Sequence, residues 1–127
     1  MLDLANRGAT DILVPNLPGL GITPAVRTYG RQAIEAADRL AQHFNSALDQ
    51  ALSGLPGLGG LRLYRLDVWQ MAERVRADPA ASGFVDITSP CHQHRRCDGH
   101  LFWDGLHPTT EAHRRMGEAA ADLLVTP

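Results

Sequence analysis

The chain has 127 residues with an apolar share of 44% and a formal net charge of -2, the chemistry of one globular domain or a piece of one rather than of a disordered or nucleic-acid-binding chain. All 12 basic residues are arginines, which excludes lysine Schiff-base and lysine general-base chemistry. Only Arg95-Arg96 and Arg114-Arg115 are adjacent, too thin for a nucleic-acid footprint. No apolar run approaches the ~20 residues of a membrane helix, and Met1–Gly8 lacks the layout of a signal peptide.

Residues 1–7 read as the tail of a helix that Gly8 ends. Asp11-Ile12-Leu13-Val14 is a short apolar run, as expected of a buried parallel strand. Pro15-Asn16-Leu17-Pro18-Gly19-Leu20-Gly21 then forces a loop at the strand's C-terminal end. Residues 31–53 carry the longest helical pattern. Ile34, Ala37, Ala41, Phe44, Leu48 and Leu52 form its apolar stripe, and Arg31, Glu35, Asp38, Arg39 and Gln42 lie largely off it. A glycine-rich turn over 54–60 leads to Leu61–Leu66, which alternates like a strand. Asp67 is placed to cap a helix over 68–77. Residues 79–108 read as irregular, and a last helix runs over about 110–124. Strand–helix–strand with a long connection predicts a parallel pair joined by a right-handed crossover. Two strands are few for such a sheet. Ile12-Leu13-Val14 resembles a central strand with one unpaired edge, so the expectation is an α/β fold that is part of a larger sheet.

The chemistry concentrates in Phe102-Trp103-Asp104-Gly105-Leu106-His107-Pro108-Thr109. A tight turn folds Asp104 back on His107, so that the carboxylate takes imidazole Nδ1 and leaves Nε2 to accept a proton. Gly105 is expected to supply a permissive φ, Phe102 and Trp103 to shield the hydrogen bond, and Thr109 or Thr110 to cap the final helix. The bland alternative is an Asp cap beside a surface His.

Cys91 and Cys97 suggest one local disulfide and hence an oxidising compartment. Free thiols, or a zinc site with His92, His94 and His100, are the alternatives. Asn16 is a candidate substrate-binding residue because loops at strand C-termini line clefts, with a plain turn residue as the alternative. His43 and His113 read as packing or surface residues.

The Phe-Trp-Asp-Gly-Leu-His-Pro-Thr stretch resembles the last motif block of SGNH/GDSL esterases and lipases. Ile12–Pro18, Leu63–Val68 and the Cys91…Cys97 loop extend the likeness. The resemblance implies the C-terminal half of a three-layer α/β/α, flavodoxin-like hydrolase fold with a parallel sheet. It implies a carboxylic ester hydrolase with catalytic Asp104 and His107, an ester or lipid-like small-molecule substrate, no cofactor and no metal. It also implies a secreted or outer-membrane-associated bacterial parent. The family's Gly-Asp-Ser block is absent from these residues. Ser46, Ser53, Ser82 and Ser89 lack a nucleophile's setting, so the chain alone is expected to be inactive. Two other classes compete. One is a non-catalytic interaction module, such as a homodimer formed through the exposed strand edge. The other is a small Cys/His metal-binding domain.

Overall fold

The computed structural model describes residues 2–54, 60–94 and 96–125. A short helix α1 (Leu2–Asn6) precedes strand β1 (Asp11–Pro15). After β1 come a single 3-10 turn at Leu20–Ile22, a one-turn helix α2 (Pro24–Arg27) and the long helix α3 (Arg31–Ser53). Strand β2 (Arg62–Leu66) and helix α4 (Val68–Ala77) follow. Two short strands, β3 (Asp86–Pro90) and β4 (His100–Phe102), lead into α5 (Thr110–Val125). This is a mixed α/β architecture with parallel sheets, a partial version of the three-layer fold.

β1 and β2 pair in parallel from Asp11 opposite Arg62 to Pro15 opposite Leu66, with the long α3 in the connection. Among the described residues the other edge of β1 has no strand partner. β3 and β4 form a separate parallel pair, which corrects the reading of 79–108 as irregular. Their connection has no helix. It is closed by a disulfide between Cys91 and Cys97, whose Cα atoms are 5.2 Å apart. Such a loop is shorter than the dozen or so residues a parallel crossover usually takes.

α3 behaves differently from its sequence pattern. Ala41 and Leu52 are buried, but Phe44 remains 50% exposed. The cause is length. A helix of 23 residues runs about 35 Å, twice the span of a five-residue strand, and it lies chiefly against the 3-10 turn and α2. Among the described residues that turn region is the most continuously buried, with Gly19 and Gly21 through Pro24 all inside. α4 is capped as expected, the Asp67 carboxylate accepting Gln70 N–H at 2.9 Å. α5 is capped by Thr109, whose Oγ1 accepts Ala112 N–H at 3.3 Å.

Candidate active site

β4 delivers the chain to Trp103, and from there the backbone closes a compact turn. Trp103 N–H donates to the His107 carbonyl at 2.8 Å. Within that turn the two oxygens of Asp104 divide their work. Oδ1 accepts the backbone N–H groups of Leu106 (2.8 Å) and His107 (2.6 Å). Oδ2 lies 2.7 Å from His107 Nδ1. The His107 and Leu106 backbone donors, with the imidazole beside them, hold the Asp104 carboxyl down at about 2, so it is ionised at any ordinary pH. An ionised Asp104 at Nδ1 selects the tautomer with the proton on Nδ1 and the lone pair on Nε2. No hydrogen bond occupies Nε2 among the described residues, and the His107 side chain is 66% exposed. The arrangement is therefore a carboxylate-oriented imidazole presenting a base to solvent.

Two expectations about this turn need correction. Gly105 does not adopt a positive φ. The closeness of α2 bears on it instead: a Cβ at Gly105 would sit 3.4 Å from the Ala25 methyl, and Ala25 N–H donates to the Gly105 carbonyl at 2.9 Å. Nor is the pair enclosed by aromatics. Phe102 is buried below, but Trp103 is 53% exposed and meets the His92 ring edge-on at 6.3 Å.

The other candidates fall elsewhere. Both ends of the Asn16 amide are engaged in the fold: Nδ2 donates to Asp67 at 2.8 Å and Oδ1 accepts Trp69 N–H at 2.9 Å. Asn16 ties the post-β1 loop to the start of α4, and any contact it makes with a substrate must share that duty. The disulfide takes both sulfur atoms that a zinc site in the 91–100 loop would need. His94 and His100 lie together there, with ring centroids 5.8 Å apart. His43 is exposed; His113 is exposed too, its Nδ1 3.0 Å from the Thr109 carbonyl.

An apolar groove of about 450 Å³ adjoins the turn, lined by Leu20, Ile22, Met71, Phe102, Leu106 and Met116 among others. Leu106 and Pro108 flank His107 in sequence and also line this groove. Nothing in the amino-acid pattern announces it, because its walls come from segments far apart in the chain.

A family model for GDSL-like lipase/acylhydrolase matches residues 1–120. The chain belongs to the GDSL-like lipase/acylhydrolase family. Among curated proteins it is 27% identical to a phosphatidylcholine-sterol acyltransferase of Aeromonas hydrophila, a match covering 96% of this chain and 51% of that protein. It is 28% identical to an anther-specific proline-rich protein of Arabidopsis thaliana, covering 93% of this chain and 26% of that one. A GDSL esterase/lipase of Arabidopsis thaliana is 27% identical over 97% of this chain and 40% of its own length. The GDSL chain thus spans about half or less of the length of these relatives. No helix among its described residues is long and apolar enough to cross a membrane.

Proposed function

We propose that these residues furnish the Asp–His part of a Ser-His-Asp carboxylic ester hydrolase, with the nucleophilic serine supplied from outside them. The observation that carries this reading is the Asp104 carboxylate, fixed by two backbone N–H groups on one oxygen and set 2.7 Å from His107 Nδ1 on the other. In the completed site the serine Oγ attacks the acyl carbonyl as its proton passes to His107 Nε2. His107 then returns that proton to the leaving alcohol oxygen, and Asp104 stabilises the transient imidazolium. Water activated by the same imidazole hydrolyses the acyl-enzyme. The apolar groove beside Leu106 supports an ester whose acyl group is lipid-like. A triad acts as a unit, and loss of its serine costs on the order of 10⁶ in kcat, so the 127-residue chain alone is inactive in this reading.

The test is complementation. A Gly-Asp-Ser-bearing segment, joined in cis or added as a second chain, restores hydrolysis of a p-nitrophenyl ester. His107→Ala abolishes it, and Asp104→Asn lowers kcat by about 10⁴. Unchanged turnover in His107→Ala would overturn the assignment. A second reading rests on the unpaired edge of β1: the edge pairs with another copy of the chain. Light scattering decides it, since a monomer that melts cooperatively argues against pairing.

A further inference from the structure

The buried loop between β1 and α3 is fastened by polar side chains from both neighbouring long helices. Asn45 of α3 grips Leu17 at both backbone groups, accepting its N–H and donating to its carbonyl, each at 2.8 Å. Asp38, two helical turns earlier, accepts Gly21 N–H at 2.8 Å. Arg76 of α4 forms a two-pronged pair with Asp38 (2.9 and 3.1 Å) and donates to the Gly19 carbonyl at 3.1 Å. The fit leaves no room for a side chain at Gly19 or Gly21. A Cβ on Gly19 would lie 2.8 Å from both Arg76 Nη2 and Asp38 Oδ1, and one on Gly21 would lie 2.7 Å from the Ile34 carbonyl.

Among the described residues Asp38 and Arg76 form the least exposed carboxylate–arginine pair, at 19% and 27% side-chain exposure, and Glu73 also lies 3.2 Å from Arg76. Burial pushes the Asp38 carboxyl up, yet the Arg76 guanidinium and Gly21 N–H outweigh it and leave the carboxyl below its ordinary range. A partly buried pair gives up some of its hydration and is a modest source of stability. Its value lies in the geometry it imposes.

That geometry has a destination. The fastened loop runs directly into α2, and the first-turn Ala25 N–H holds the Gly105 carbonyl at 2.9 Å, between Asp104 and the amide of Leu106. We propose that Asp38 and Arg76 are positioning residues for the Asp104–His107 turn, acting through the 17–25 loop and the Ala25–Gly105 hydrogen bond. This rests on the reading of that turn as the Asp–His part of a hydrolase site. Neither residue touches His107. They fix the platform on which the turn sits, and so the direction in which Nε2 faces.

The experiment uses ¹⁵N-labelled 127-residue chain and reads His107 by NMR: its ring tautomer, its Nδ1–H resonance, and the exchange rates of the Leu106 and His107 amides. In the parent chain Asp104→Asn must alter the ring tautomer. If it does not, the Asp–His reading itself fails, independently of the positioning proposal. Given that control, Arg76→Met shifts the tautomer ratio and speeds exchange of both amides by about two- to thirtyfold, the range for residues that couple without contact. Arg76→Lys, which keeps the charge but not the fork, recovers part of the effect. Asp38→Asn provides the second variant: it keeps the size of the side chain and an oxygen for Gly21 N–H but gives up the charge pair with Arg76, and the His107 signals move in the same sense. His107 signals that stay in place in both Arg76→Met and Asp38→Asn would overturn the proposal.

Discussion

Asp104 is tied on one side to backbone and on the other to an imidazole. Its carboxyl sits at about 2, below the ordinary 3.8, because the His107 and Leu106 N–H groups stabilise the ionised form. A group depressed on folding contributes stability that is fully present above its unfolded value and is lost as pH falls through its folded value. The Leu106 and His107 amide proton shifts should therefore titrate together with a midpoint at about 2. A midpoint at the ordinary 3.8 would mean that the turn does not hold the carboxylate. At this scale the sequence was informative where contacts are local. The three-residue spacing from Asp104 to His107, with a glycine between, was enough to expect the fold-back. The contact of Gly105 with Ala25 was not legible, because eighty residues separate them and α2 has no periodicity to announce it.

Among the elements, the β3–β4 pair is the one the sequence hid. β3 has only Ile87 as a branched apolar residue and contains Thr88, Ser89 and Pro90, while β4 is three residues long. Neither presents an alternation long enough to read. They are held by groups that pattern analysis does not weigh: the Asp86 carboxylate accepting Thr88 and Ser89 N–H, and the Cys91–Cys97 bridge. By the chain-entropy argument a bridge closing so short a loop contributes about 2 kcal/mol. Denaturant titration with and without reductant measures this, and identical midpoints would show the bridge to be dispensable. Helices α3, α4 and α5 were legible from their periodicity, but the partial burial of Asp38 was not, since the 17–25 loop and Arg76 of α4, both distant in sequence, make it an inner residue. Two glycine replacements separate these environments. Gly21→Ala forces a methyl against the Ile34 carbonyl and should cost about 1–3 kcal/mol. Gly117→Ala on α5 meets open space and should stabilise by up to about 1 kcal/mol. Thermal melts of both that fall in the same direction would contradict the packing described.

For the molecule as a whole, acid is the informative stress. Asp86, Asp104 and Glu111 are all held at about 2. At Asp86 burial opposes this and the Thr88 and Ser89 N–H groups win; at Asp104 the backbone donors of its own turn act; at Glu111 the hydrogen bond from Arg114 leads. All three are depressed, so all three favour the folded chain above about pH 4.5 and cease to do so as pH approaches 2. Melting temperature should be flat near neutrality and fall over that interval, and a melting temperature unchanged down to pH 2 would refute the shifts. The α/β class and the parallel β1–β2 pair were readable, because a short apolar run, a long amphipathic helix and a second strand leave few topologies. The separation into two small sheets and the groove beside Leu106 were not, since both arise from how distant segments meet.

Inside the turn from Trp103 to His107 the Trp103, Leu106 and His107 N–H groups and the imidazole Nδ1 all find partners, while the Trp103 and Gly105 carbonyls accept from His92 and Ala25 outside it. Closing so short a segment costs little chain entropy, and contacts this local form early and fast. The consequence is kinetic. A closure of this length belongs to the hairpin timescale of about 1–10 μs, whereas the Ala25–Gly105 contact joins segments far apart in the chain. In refolding followed at both places, the Asp104–His107 contact should therefore form no later than the Ala25–Gly105 one.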